Sequence, residues 1–151
     1  MTVFSYCICT TVDARALQAL LEASGQGRYK DERPWLIARE LLDEAGAHSA
    51  RLPILFATGH PPEFSHWGFI DSIDVVELHR GKWESLCAFT PLHPVNPIWT
   101  AVDSLFLKPT TEQLRRETLE DIPRHRYPLN EGELHPYAIC ETPAFMLAEG
   151  E

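Results

Sequence analysis

Three lysines in 151 residues, four cysteines with no C-x-x-C pair, and no apolar run of membrane length set the first limits on this chain. A spanning helix needs roughly 18 or more consecutive apolar residues, so no membrane partner is expected. The N-terminus has no basic stretch followed by an apolar one, the pattern of a secretory leader, and the expected location is cytoplasmic. Cys7, Cys9, Cys87 and Cys140 lack the spacing of a zinc knuckle or a disulfide framework, which makes buried thiols the expectation. Basic residues number only 13 against 22 acids, a net charge of -9. That deficit counts against broad electrostatic binding to nucleic acid, whose non-specific affinity comes mostly from phosphate neutralisation. A reader of one extruded nucleotide needs only a local positive rim.

The 44% hydrophobic content suffices for a core without staples, and the length suits one domain over residues 1–151. No internal repeat or low-complexity segment interrupts it. Val3 to Thr10 reads as a buried strand. Thr10, Thr11 and Asp13 then offer capping oxygens to a helix with Leu17, Leu20 and Leu21 at helical spacing, ended by Gly25. Gly25 to Lys30 reads as an exposed loop. A second helix is predicted from near Asp31, with Pro34 in its first turn and Ile37, Ala38, Leu41, Leu42 and Ala45 as its apolar stripe.

Leu52 to Thr58 is a second buried strand, stopped by Gly59-His60-Pro61-Pro62. His66 to Leu78 alternates as a long strand with a bulge expected at Asp71-Ser72, Trp67, Phe69, Ile73 and Val75 sharing one face. Arg80-Gly81-Lys82 turns it into an antiparallel partner, Trp83 to Thr90. Three prolines between Pro91 and Pro97 remove ladder donors, so that segment reads as a shaped loop before a strand from Ile98 to Leu107. Thr110 with Gln113 and Asn130 with Glu133 look like capping boxes, and Tyr137 to Cys140 can make a last strand. Strands joined mostly by turns argue for an α+β fold, a mixed or antiparallel β-barrel of about five to six strands with flanking helices.

In order along the chain, several segments resemble the EVE domains of the PUA-like superfamily. These are Tyr6-Cys7-Ile8-Cys9-Thr10-Thr11 with the helix after it, Leu55-Phe56-Ala57-Thr58-Gly59-His60, Trp67-Gly68-Phe69-Ile70, Pro94-Val95-Asn96-Pro97-Ile98-Trp99 with Val102-Asp103, and Arg124-His125-Arg126 before Pro128-Leu129. The family's Lys-Pro-Gly-Asp-like turn is not recognisable here; the helix from Pro34 to Ala45 takes its place. The neighbouring ASCH domains are similar as well.

The resemblance implies a PUA-like barrel and a pocket for a modified or extruded nucleobase in DNA or RNA. Trp99 would stack the base, and Thr10, Thr11, Thr58 and His60 would read its polar edge. Arg124 and Arg126, with Arg115 and Arg116 upstream, are the one dense basic set and would contact phosphate. Each residue also has a plainer reading: Trp99 as core, the threonines as helix caps, the arginines as surface ion pairs with Glu117, Glu120 and Asp121. No cofactor is implied. His60 and His66 around Glu63 do not match a zinc pattern, and no metal is expected. Two alternatives stay open. One is a small PUA-like enzyme acting on a nucleoside derivative, with Cys7 or Cys87, a histidine and Asp103 as a conceivable nucleophile set. The other is an acidic protein-interaction module, which calls for an exposed apolar patch. Oligomeric state is not legible.

Overall fold

The computed structural model describes residues 2–22, 27–59, 61–99, 105–123, 125–134 and 136–147, without the side chains of 96–99, 131 and 133. In chain order its elements are β1 (Thr2–Val3), β2 (Tyr6–Thr11), α1 (Ala14–Glu22), β3 (Gly27–Asp31), α2 (Leu36–Ala47), β4 (Ala50–Arg51) and β5 (Pro53–Thr58). There follow β6 (Glu63–His79), β7 (Lys82–Phe89), β8 (His93–Trp99), α3 (Thr111–Leu119), a 3-10 turn (Glu131–Leu134), β9 (Ala138–Glu141) and α4 (Ala144–Leu147). Seven strands form one mixed sheet in the order β3-β7-β6-β5-β2-β9, with β8 also paired to β6. β1 and β4 make a small parallel ladder of their own.

β2 and β5 run parallel, Ile8 opposite Ile54 and Thr11 opposite Ala57. Both are buried on their two faces, which explains their nearly continuous apolar sequences. On one face Ile8, Ile54 and Phe56 meet Leu17 of α1 and Trp35, Ala38, Leu41 and Ala45 at and along α2. On the other, Cys7, Cys9, Leu55 and Ala57 meet Leu105, Leu129, Leu134 and Met146. Trp35, Phe56, Phe64 and Phe89 are fully buried, each contributing roughly 1.5–3 kcal/mol.

The strand β6 serves both cores. Its pairing with β7 shifts register between Ile70 and Ser72, so Asp71 bulges as expected, and the extra residue reverses the alternation after it. Trp67 and Phe69 therefore face the second core, whereas Ile70 and Ile73 lie in the first. The expected grouping of Trp67 and Phe69 with Ile73 and Val75 is corrected by that one residue. Arg80 and Gly81 close the β6–β7 hairpin with φ of 43° and 79°, the two left-handed positions of a type I′ turn.

Other expectations change too. Among the described residues no pairing joins β3 to β9, so the sheet is open rather than a closed barrel. Residues 27–30 of the expected loop belong to the edge strand β3: Gly27 lies so close to Phe89 that a Cβ there would sit 2.5 Å from its ring. The second helix starts at Leu36, because Asp31 still belongs to β3, and Ile37 of the expected stripe is 63% exposed. The proline-rich segment is a strand after all: β8 pairs only with β6, and an edge tolerates the missing donors. Of the expected strand from Ile98 to Leu107, residues 100–104 lie outside the described residues. Phe106 and Leu107 make isolated bridges to Pro128 and Cys140.

No described helix is long and apolar enough to cross a membrane.

Candidate functional site: a cleft at the ends of two parallel strands

Parallel neighbours end side by side, so the turns after β2 and β5 meet at one edge of the sheet, where open α/β sheets bind their ligands. A cleft of about 660 Å³ opens there, within the range of roughly 300–1,000 Å³ for small-molecule sites. Thr11, Asp13 and Ala16 line one side, Tyr29, Asp31 and Arg33 another, and Gly59 and Pro136 close it.

Each wall has a local cause. Asp13 caps α1, its Oδ1 accepting from the amide of Ala16 at 2.7 Å. Asp31 is spent on its own segment, accepting from the amide of Arg33 and from Nε1 of Trp35, both at 3.0 Å. Trp35 then starts α2 with its amide donating to Oγ of Ser85 at 2.9 Å, while Ser85 donates to the carbonyl of Arg33 at 2.6 Å. The hydroxyl of Tyr137 accepts from the amide of Ala38 at 3.0 Å. These partners supply α2 with the N-terminal acceptors that no side-chain cap provides. Tyr29 packs on Trp35 and Phe56 at 5.8 and 6.0 Å. Burial first, then Asp31, raises its phenol above the ordinary range against the opposing pull of Arg33, so it stays a neutral hydrogen-bonding group.

Hydrogen bonds from neutral donors leave both carboxylates charged, so Asp13 and Asp31 stand against Lys30 and Arg33 in the cleft. Lys30 forms only an exposed pair with Glu84 at 3.4 Å, which screening leaves worth little. Arg33 has no ion pair among the described residues.

Thr11 lines the cleft, whereas Thr58 ends β5 next to the lining residue Gly59 and does not itself line the cleft. Thr10 is fully buried, its hydroxyl donating to the carbonyl of Pro136 at 2.7 Å; it braces the wall and cannot reach a ligand. Asp13, not either threonine, is the helix cap. His60 and Arg124 lie outside the described residues, as does the side chain of Trp99.

Arg126 is elsewhere. It lines a second cleft of about 280 Å³ with Tyr6, His125 and Glu141, at the opposite end of β2. Five strand steps, about 17 Å, separate the two ends. Its guanidinium makes two 3.1 Å hydrogen bonds to Glu141 and lies 3.8 Å from the centre of the Phe106 ring. Its ion-pair partner is Glu141 rather than one of the acids near α3.

Sequence reasoning missed Tyr29, Lys30, Asp31 and Arg33. Their strand shows inward only Gly27 and Tyr29 between solvent-facing Arg28 and Lys30, too little apolar signal over five residues. Of the conceivable nucleophile set, Asp103 lies outside the described residues; Cys7 and Cys87 are both buried, and burial pushes the Cys87 thiol up to about 12. Among the described residues no group of three or more His, Cys, Asp or Glu is arranged to hold a metal.

Comparison with protein-family models, curated proteins and solved structures finds no match to this chain. The fold and cleft define it as an α+β protein with a seven-stranded mixed sheet.

Proposed function

We propose that the chain is a binding module for a modified or extruded nucleobase, held in the cleft beyond β2 and β5. One observation carries this reading. Thr11 and Gly59, which belong to two of the EVE-like segments, both line one cleft of small-molecule size. A base leaving its stack must regain roughly 1–3 kcal/mol per aromatic platform. Tyr29 offers such a surface inside the cleft, and Trp99 keeps the stacking role that the resemblance implies. Thr11 reads the polar edge, and Arg33 with Lys30 supplies the cations for a phosphate contact, alongside the cleft's Asp13 and Asp31. In this reading the open sheet is a PUA-like one curled around its first core.

The test is titration of nucleosides and short oligonucleotides carrying modified bases, at low salt, against wild type, Thr11→Val, Arg33→Gln and Trp99→Ala. Arg33→Gln should weaken oligonucleotide binding about tenfold, the equivalent of about 1.4 kcal/mol. Absence of binding to every ligand, or binding indifferent to Thr11→Val and Arg33→Gln, would remove the cleft as the site.

A further inference from the structure

The cleft of about 280 Å³ at the other end of β2 gathers charge in an unbalanced way. Tyr6 of β2 and Glu141 of β9, both in its lining, are directly opposed. Residues 106–108 run along the outer side of β9, the amide of Glu141 donating to Phe106 at 2.8 Å and that of Lys108 to Ile139 at 2.9 Å. Residues 126–129 pair with them in turn, the amide of Leu107 donating to the carbonyl of Tyr127 at 2.8 Å. Lys108 and Arg126 flank that bond, and both reach the same opposed pair. Nζ of Lys108 lies 5.1 Å from the centre of the Tyr6 ring, and the guanidinium of Arg126 holds Glu141. Two cations therefore meet one carboxylate, in a chain whose net charge is -9. Lys108 has no ion pair among the described residues. Glu117 does not line the cleft; it is buried and accepts from the amide of His125 and from Nε2 of Gln113.

We propose that this second cleft binds a small organic monocarboxylate. Arg126 spends Nε and Nη2 on Glu141, along one edge of its guanidinium. Nη1 and the second proton of Nη2 remain at the other end, a planar fork that a carboxylate matches with two parallel hydrogen bonds. That fork is set before a ligand arrives, because Glu141 fixes it and the Phe106 ring backs it at 3.8 Å. The side chain of Arg126 is 56% exposed, so the fork is within reach of solvent. Lys108 supplies the charge that Glu141 does not cancel. The hydroxyl of Ser5, in the same lining, has no hydrogen bond among the described residues and can donate to the ligand. Leu107 and Pro109 give an apolar body a surface to lie on. One excess positive charge matches one negative charge, whereas a phosphate dianion would set a second charge beside the Glu141 carboxylate. The volume falls below the roughly 300 Å³ at which drug-sized sites begin, so the body is a single ring or a short chain.

Amide NMR titration of the full chain tests this, with butyrate and benzoate as probes and with butyramide, benzamide and inorganic phosphate beside them. At least one carboxylate should shift the amides of Ser5, Tyr6, Leu107 and Glu141 to saturation, and its neutral amide should not. Lys108→Met keeps the apolar stem and should weaken binding at least about tenfold; Arg126→Lys keeps the charge without the fork and should weaken it as well. No saturable shift from either carboxylate overturns the proposal, as does binding unmoved by Lys108→Met. Equal binding of the neutral amides would reduce the cleft to an apolar contact, and tighter binding of phosphate would assign it to another anion; each overturns the proposal. Shifts confined to Thr11, Tyr29 and Gly59 would place the carboxylate in the first cleft and overturn it equally.

Discussion

Thr10 and Pro136 lie 126 residues apart in sequence, and the hydroxyl of the one donates to the carbonyl of the other at 2.7 Å. The bond ties the end of β2 to the segment leading into β9, beneath the cleft. Thr10→Val keeps the shape and removes the donor, leaving a carbonyl without its partner. The expected loss is about 1–3 kcal/mol in urea unfolding, with faster amide exchange at Tyr137 and Ala138.

Ser85 joins β7 to the cleft by accepting from Trp35 and donating to Arg33. Ser85→Ala strands the buried amide of Trp35 and should cost about 1–3 kcal/mol. Because the same hydroxyl fixes the backbone of Arg33, ligand affinity should fall in Ser85→Ala at temperatures where the variant is still fully folded.

Gly27→Ala drives a Cβ into the fully buried ring of Phe89, 2.5 Å away. Overpacking of this kind costs about 1–3 kcal/mol. Thermal unfolding should show the loss, and the double variant Gly27→Ala with Phe89→Leu should lose less than the sum of the two single changes.

Burial lowers the pKa of His66 below its ordinary 6.5. Between the folded and the ordinary value, the unfolded chain binds more protons than the folded one. Stability from keeping His66 neutral is complete above pH 6.5 and is lost as pH falls through that window. Urea midpoints measured in steps below neutrality should fall less steeply in His66→Gln than in wild type.

All four cysteines are buried. Cys9 is raised by hydrogen bonds with Cys140 and Cys7 and then by burial, and Cys87 by burial. Neither thiol offers a thiolate near neutrality. An aromatic disulfide reagent should label none in the native protein and four per chain in denaturant. The stability held by the Cys87 thiol is present below about 9 and lost as pH rises towards about 12.

The sequence announced the elements whose patterns are long or punctuated: β2, β5, the β6–β7 hairpin with its bulge at Asp71, and α3 behind Thr110, whose side chain accepts from Gln113. It did not announce β3, where two outward cations hide one inward tyrosine, or β8, where prolines suit an edge whose position only pairing reveals. The cleft was half legible. Thr11 and the turn after Thr58 sit on strands with strong apolar signals, whereas Tyr29 and Arg33 reach the cleft through contacts distant in sequence, such as Ser85 to Trp35 across 50 residues. Spacing along a chain is silent about which end of a strand a segment packs against, so it did not show that Arg126 pairs with Glu141 at the end of β2 away from the cleft.

β6 passes from one core to the other at a single bulged residue, so the two cores share a wall. Neither can melt alone, since releasing Trp67 and Phe69 from one side frees the strand that seats Ile70 and Ile73 on the other. That shared strand makes unfolding cooperative, and heat and denaturant should each take the molecule apart in one step.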